Sequence, residues 1–429
     1  MQRVYIKDLS QYIGKEVVIE GFVNTLRHQG GIKFMLIRDV TAKAQTVVLK
    51  QNAESFSQVA DLSVESVVKV TGLVKEEKQA PDGIEIEVSL VEILSKAEEL
   101  PIPVIAEKGA EDVDQTHRFD YRWLDLRNPE KLKIFKVWTE LERGFREYYE
   151  KEGFTQIYTP SLMGTASESG AEVFEVKYFE GNAYLAQSPQ FYKQMAMSAG
   201  FEKVFVIGPV FRAEASYTTR HMTEFTGWDF EVSYIDSHFD VMSIEEDLMI
   251  SGFNRVRSVL DLEIEIPVKP FPKVSMSEAK KKLKIAGIAS EKEGDLSPEE
   301  EREICRLVKE EFNSDFVFIT DYPITVRPFY HMRYSDNPLL TKSFDLLYKG
   351  VEVTTGAQRE HRVEVLEAQA KEKGMSLTEL KNYINFFRFG CPPHGGVGMG
   401  PGRIIMKMLD LPSVKEATFL SRDVKRLTP

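Results

Sequence analysis

The stretch FRAEASYTTRHMTEF, Phe211 to Phe225, sets two arginines and a histidine beside two glutamates, with aromatics threaded between them. Side chains alternate along a strand with a period of two, so an extended start puts Arg212 and Glu214 on one face. The loop Ala215 to Thr219 then brings the chain back through Arg220, His221 and Met222 to Phe225. Outward from this strand, loop and return, KVFVIGPVF and WDFEVSYI flank it directly, and AYLAQ and SFDLLYKGVEVTTG lie further off, all strand-like. Helical runs stand between them, SPQFYKQMAMSAG and SHFDVMSIEEDLMISGFNRVRSVL. Strands in this order, without regular alternation of strand and helix, predict a mostly antiparallel sheet flanked by helices.

That domain opens on PEKLKIFKVWTELERGFREYYEKEGF, where Leu132, Phe135, Val137, Trp138, Leu141, Phe145 and Tyr148 recur at helical spacing. From about 266 to 316 a Lys/Glu-rich segment reads as two exposed helices whose charges form a solvated face. Upstream, residues 16–94 read as five short alternating strands broken by Gly30-Gly31 and by the turn Pro81 to Gly83. Five strands in so short a span predict a small closed barrel of the oligonucleotide-binding (OB) type. The fold class is therefore α+β: an N-terminal OB barrel over 1–100, a linker over 101–128 marked by LPIPV and an acidic run, and a second domain over 129–429.

The 429 residues suffice for two domains, and no run of 18 apolar residues or basic-plus-apolar leader is present, which predicts a soluble, cytoplasmic protein with no membrane contact. Cys305 and Cys391 stand alone, so neither a disulfide framework nor a zinc site is expected. A net charge of −12 means that any nucleic-acid contact comes from local basic patches. The phosphate loops GxxxxGK[ST] and GxGxxG are missing, which excludes nucleotide binding by those devices.

The charged motifs suggest chemistry of another kind. Arginine's planar fork suits phosphate or carboxylate, and Glu214 can accept from an amine or a base edge. Asp345 and Glu352 offer carboxylates to a hard cation such as Mg2+, Thr355 a hydroxyl and Arg359 a further fork. In GGVGMGPGRII the glycines let a ligand approach the backbone ahead of Arg403. Gln190 and Lys193 lie one helical turn apart, so both can face one pocket. Singly, each such residue reads more readily as a surface ion pair or, for Lys193, an exposed helix lysine; their joint recurrence on strands favours a site.

With these motifs the chain resembles the class II aminoacyl-tRNA synthetases of the aspartyl type, in their archaeal and eukaryotic style, over essentially its whole length. A motif 1-like helix and strand end in GFTQIYTP with Pro160, FRAE and RHMTEF resemble motif 2, and GVGMGPGRII resembles motif 3. The resemblance implies a six- or seven-stranded antiparallel catalytic sheet, a homodimer through motif 1, and a bent ATP gripped by arginines. It implies ligation of L-aspartate to tRNA through an aspartyl-adenylate. On these positions Arg212 would touch the α-phosphate and the amino acid carboxylate, Glu214 the adenine amine, Arg220 and His221 the γ-phosphate, with Met222 beside them and Phe225 stacked on the base. Glu352, Thr355 and Asp345 would hold Mg2+, and Gly400, Pro401, Gly402 and Arg403 would clamp the triphosphate. Gly402 departs from the glutamate usual there. Glu168, Gln190, Lys193, Asp229, Thr355 and Arg359 would bind aspartate, the two cations taking its side-chain carboxylate and Asp229 its ammonium. The barrel would read the anticodon with Phe22, Phe34 and Arg27. The turn carrying Pro81 resembles that of forms accepting both aspartate and asparagine tRNA. An asparaginyl enzyme, an asparagine synthetase-like enzyme and a non-catalytic tRNA-binding paralogue are the competing readings; Lys193 with Arg359, the barrel, and the retained arginine and acid set speak against them in turn.

Overall fold

Apolar and polar residues alternate through the first hundred positions, and five strands realise that pattern: β1 (Glu16–Gln29), β2 (Ile32–Arg38), β3 (Lys43–Leu49), β4 (Val67–Glu76) and β5 (Ile84–Ser95). The computed structural model describes residues 2–105, 113–164, 173–290 and 292–429. The barrel closes in the order β1-β2-β3-β5-β4, with β3 and β5 parallel and the other pairs antiparallel. Its interior is filled by Val23, Met35, Ile37, Val70 and Ile86, none of them exposed to solvent. Pro81 opens a single 3-10 turn, Pro81–Gly83, between β4 and β5, where Asp82 and Gly83 take positive φ. Phe22 and Phe34 are half-buried and outside the apolar core, and Arg27 lies across from Phe34 in the β1–β2 register. Phe22 is flanked by two guanidinium groups, Arg127 at 4.4 Å and Arg38 at 5.5 Å from its ring centre, and both arginines pair with the buried Glu65.

Two compact units divide the chain, Met1–Pro129 and Glu130–Pro429. The first therefore also holds the stretch read as a linker, which contains the short helices Gln115–Asp120 and Arg122–Asp125.

In the second unit the strands are β6 (Thr155–Gln156), β7 (Leu162–Met163), β8 (Glu175–Tyr178), β9 (Gly181–Leu185), β10 (Lys203–Phe211), β11 (Glu224–Ser233), β12 (Lys273–Ser275), β13 (Phe316–Thr320), β14 (Ser343–Tyr348), β15 (Val351–Gln358) and β16 (His394–Met399). Eight of them form one sheet in the order β12-β13-β14-β15-β16-β11-β10-β6, and β7-β9-β8 form a small one. Six successive strands of the large sheet, β13 to β10 in that order, are antiparallel; the short edge strands β12 and β6 pair parallel to their neighbours. The expected antiparallel sheet is present, widened by these two edges.

The helices Pro129–Lys151 and His238–Leu260 pack against this sheet through Val137, Leu141, Phe145, Met249 and Phe253, which meet Trp228 and Phe230 in the main core. Their close crossing depends on glycine: a Cβ on Gly252 would lie 2.4 Å from the Phe145 ring, and one on Gly144 would lie 2.8 Å from Gly252. Trp228, Phe230 and Val232 on β11 are core, so the period of two sends Asp229 and Glu231 the other way. Among the described residues no helix is long and apolar enough to cross a membrane.

The charge-rich segment departs from its reading as a purely solvated face. Its helices Met276–Ile285 and Pro298–Phe312 each begin with a capping box and share a core of Ala279, Leu283, Ile304 and Val308 with Val317 and Leu347 of the sheet. Lys281, Lys284 and Glu299 are exposed, but Glu300 and Glu301 are buried, because the amphipathic helix turns one side inward whatever the local charge density.

Glu245, on the helix His238–Leu260, accepts a hydrogen bond from the Thr354 hydroxyl inside the core, and burial pushes its carboxyl up to about 8. A carboxyl whose folded pKa lies above its unfolded one contributes stability at low pH that is lost as pH rises through the folded value. Glu245→Gln, which keeps a carbonyl for Thr354, is expected to lose less stability than the parent between pH 6 and pH 8.5. Urea midpoints at the two pH values check this.

Candidate active site

A cleft of about 820 Å³ opens over the middle strands of the second unit. At one end stand Arg212, Glu214, Arg220, His221, Met222, Phe225, Glu352 and Arg403. Arg212 follows directly on β10 and its N–H donates to the Thr223 carbonyl at 2.9 Å, which holds the hairpin's two arms together where the strands end. Its guanidinium lies 3.7 Å from Glu214 and 5.7 Å from the Phe225 ring centre, so the three are close together, but β10 ends at Phe211 and the loop beyond it, not strand alternation, brings Arg212 and Glu214 together. Arg403, in the helix Pro401–Met408, donates to the Glu352 carbonyl at 2.9 Å and lies 3.7 Å from its carboxylate. Gly402 is enclosed: a Cβ there would lie 3.1 Å from Val414, so the departure from the usual acid goes with close packing.

The electrostatics of this end follow from its cations. Burial raises the Glu352 carboxyl, but Arg403, Arg327 and Arg220 outweigh it and hold the group below its ordinary range. His221 is shifted down by burial and then by Arg403, which keeps the imidazole neutral near pH 7, with Nδ1 2.6 Å from the Thr218 hydroxyl. The Thr355 hydroxyl donates to Glu352 at 3.1 Å, and Thr355 is the register partner of Asp345. Asp345 is engaged by Arg327 at 2.7 Å.

At the other end four charged groups are buried together. Lys193, fully inaccessible to solvent, lies 2.8 Å from Asp229 and 3.4 Å from Glu231, and donates to the Val397 carbonyl at 2.9 Å. Arg359, just beyond β15, donates to Glu231 at 3.0 Å and to the Gly396 carbonyl at 2.8 Å, with His331 at 2.9 Å. Arg359, Asp229 and Gln190 line the cleft; Lys193 lies behind them, one turn along the helix Gln190–Ser198 from Gln190. Gln190 Nε2 has no hydrogen-bond partner among the described residues, a buried donor left for a ligand. Burial raises the Asp229 carboxyl despite Lys193, whereas Arg359 and Lys193 overcome burial at Glu231 and lower it. Glu168 lies outside the described residues.

Gly396 makes this packing possible, since a Cβ there would lie 2.1 Å from the Phe230 carbonyl oxygen and 2.3 Å from Glu231 Oε2. Gly396→Ala is expected to cost about 1–3 kcal/mol of stability through overpacking, read from denaturant unfolding.

The residues missed from sequence are Glu231, Arg327, Tyr330, His331 and Glu301. Glu231 carries the same signal as Asp229, two positions on in the same strand. Arg327 belongs to an irregular stretch without periodicity, and only the structure shows it stacked 3.6 Å over the Tyr322 ring centre and paired with Asp345.

An arginine-lined cleft beside a carboxylate and hydroxyl set, on an antiparallel sheet, meets its match in known families. Residues 114–424 match the family described as tRNA synthetases class II (D, K and N), which is more than half of the chain. The chain belongs to the class II tRNA synthetases. Residues 17–94 of this synthetase match the OB-fold nucleic acid binding domain, in agreement with the barrel. It is 43% identical to an aspartate–tRNA(Asp/Asn) ligase of Aeropyrum pernix, covering 97% of this chain and 96% of that one. It is 40% identical to an aspartate–tRNA(Asp) ligase of Pyrococcus abyssi, covering 97% of each. Among solved structures, asparaginyl-tRNA synthetase from Pyrococcus horikoshii complexed with asparaginyl-adenylate superimposes with a TM-score of 0.91 at 33% identity over 100% of both chains.

Proposed function

We propose that this synthetase attaches L-aspartate to tRNA, first forming aspartyl-adenylate from ATP with release of pyrophosphate, then passing the aspartyl group to the terminal adenosine. The buried quartet of Lys193, Arg359, Asp229 and Glu231 carries the reading. Two positive and two negative groups balance it in the protein alone. Aspartate brings an ammonium that Asp229 accepts and a side-chain carboxylate that Lys193 and Arg359 accept, so the exchange of partners leaves no buried charge uncompensated. Asparagine brings the ammonium without that carboxylate and strands a cation, a cost that discriminates against it. The names of the Aeropyrum and Pyrococcus abyssi relatives agree with this choice.

Arg212 orients the α-carboxylate toward the α-phosphate and stabilises the charge that develops as the carboxylate attacks in line, while Arg220 and Arg403 hold the far phosphates. Glu214 accepts from the adenine amine and Phe225 stacks on the ring. Glu352 and Thr355 would offer oxygen donors to Mg2+ alongside nucleotide phosphates, with Asp345, ion-paired to Arg327, behind them, and the ion when bound would neutralise phosphate charge. The barrel reads the anticodon through Phe22, Phe34 and Arg27, and the Pro81 turn belongs to a form charging both aspartate and asparagine tRNA. The synthetase acts as a cytoplasmic homodimer joined at the motif 1 region.

Amino-acid-dependent exchange of pyrophosphate into ATP tests the chemistry, with asparagine run beside aspartate. Exchange with aspartate alone is expected; exchange with asparagine alone overturns the choice of substrate, and none with either favours a tRNA-binding paralogue. Failure to charge asparagine tRNA would overturn the dual specificity, and a monomeric mass in solution the dimer.

A further inference from the structure

Glu301 belongs to the charge-rich helix Pro298–Phe312, yet it reaches the cleft's phosphate end. Its Oε1 lies 2.7 Å from Arg220 Nη2, and its Oε2 accepts the backbone N–H of Glu352 at 3.3 Å. Both side chains are shielded, Arg220 to 14% exposure and Glu301 to 6%, so this pair lies where screening is weak and direction is fixed. The helix is anchored in turn, because Ser297 and Glu300 close a capping box and the Glu301 N–H donates to the Ser297 carbonyl at 2.9 Å. Arg220 lines the cleft and keeps a donor in hand: its buried Nε has no hydrogen-bond partner among the described residues.

We infer that Glu301 is a positioning residue for the nucleotide, holding the Arg220 guanidinium and the Glu352 backbone in one geometry so that both meet the phosphate end of ATP. This rests on the ATP-binding reading above and deepens it. A carboxylate bridging an arginine fork and a backbone amide fixes two elements relative to each other, the loop returning from β10 and the start of β15. Without it the long Arg220 side chain regains rotamer freedom that ATP must then remove.

The test uses the full chain with Glu301→Ala, Glu301→Gln, Arg220→Ala and the Arg220→Ala/Glu301→Ala double variant. Loss of one charge-assisted hydrogen bond predicts that Glu301→Ala raises the KM for ATP in pyrophosphate exchange, and the Kd for ATP by calorimetry, by about tenfold or more. The KM for aspartate stays within about twofold, Glu301→Gln falls between parent and Ala, and the double variant loses less than the sum of the two single losses, as non-additive neighbours behave. An unchanged ATP affinity, equal rises for both substrates with a fall in Tm, or a double variant whose losses simply add would overturn the inference. Should Glu301→Ala not fold, Glu301→Gln decides the matter through the same ratio of ATP to aspartate effects. Calorimetry keeps the two readings separable: a parent that binds ATP but shows no exchange refutes the proposed function and still tests Glu301.

Discussion

Arg212→Ala is expected to lower aspartate-dependent pyrophosphate exchange by about 10²–10³ in kcat, the range found when one preorganised donor to a developing charge is removed. The side chain is partly exposed and its only described ion pair is Glu214 at 3.7 Å, so little stability depends on it. A surface ion pair of this kind is worth about 0–1 kcal/mol. The loss therefore falls on the chemical step while Tm stays near that of the parent. Single-turnover adenylate formation, followed beside thermal unfolding, checks both halves. A parent-like rate would remove Arg212 from the reaction, and a collapse of Tm would assign it to the fold.

Lys193→Ala is expected to do the reverse, striking stability and amino acid recognition together. Deleting one partner of a buried ion pair costs about 3–5 kcal/mol, and here two carboxylates lose a counter-charge at once. The sign of its pH dependence follows from the shifts. Lys193 pulls down the carboxyls of both Asp229 and Glu231, so its removal raises Asp229 further above its unfolded value and lifts Glu231 from below toward its own. An upward shift of a folded-state carboxyl favours the fold at low pH and weakens it as pH rises. The variant's deficit should thus be larger at pH 8 than at pH 5.5, with exchange at low aspartate lost at both. A deficit independent of pH would mean that Lys193 does not neutralise these acids.

Much of this architecture was legible in the sequence, for reasons that can be traced to residues. The hairpin from Phe211 to Phe225 declares itself because period two and a polar loop are local properties, and the five barrel strands do so for the same cause. The fork-bearing side chains, Arg212, Arg220, Arg359 and Arg403, stand out by type, and all four line the cleft. What stayed hidden depends on partners distant in the chain. Lys193, by its local pattern alone, reads as an exposed helix lysine, and only the family resemblance marks it; its pairing with Asp229 and Glu231, which come from the distant strand β11, is a tertiary property. The acidity of the segment around Glu301 masks the one-sided burial of its helix, and Arg327 has neither strand nor helix to give its direction away. The enclosure of Gly402 by Val414 is likewise a property of packing that no local pattern carries.

The buried quartet has one more consequence. Its charges were stripped of water when the chain folded, and on the proposed binding mode an incoming aspartate would replace internal salt links by equivalent ones, so the ion atmosphere around the protein would be hardly disturbed. Counterion release governs the docking of a polyanion on the outer surface, and such docking weakens steeply as salt is added. Amino acid selection in this synthetase should therefore hold nearly constant across ionic strengths that dissociate its tRNA.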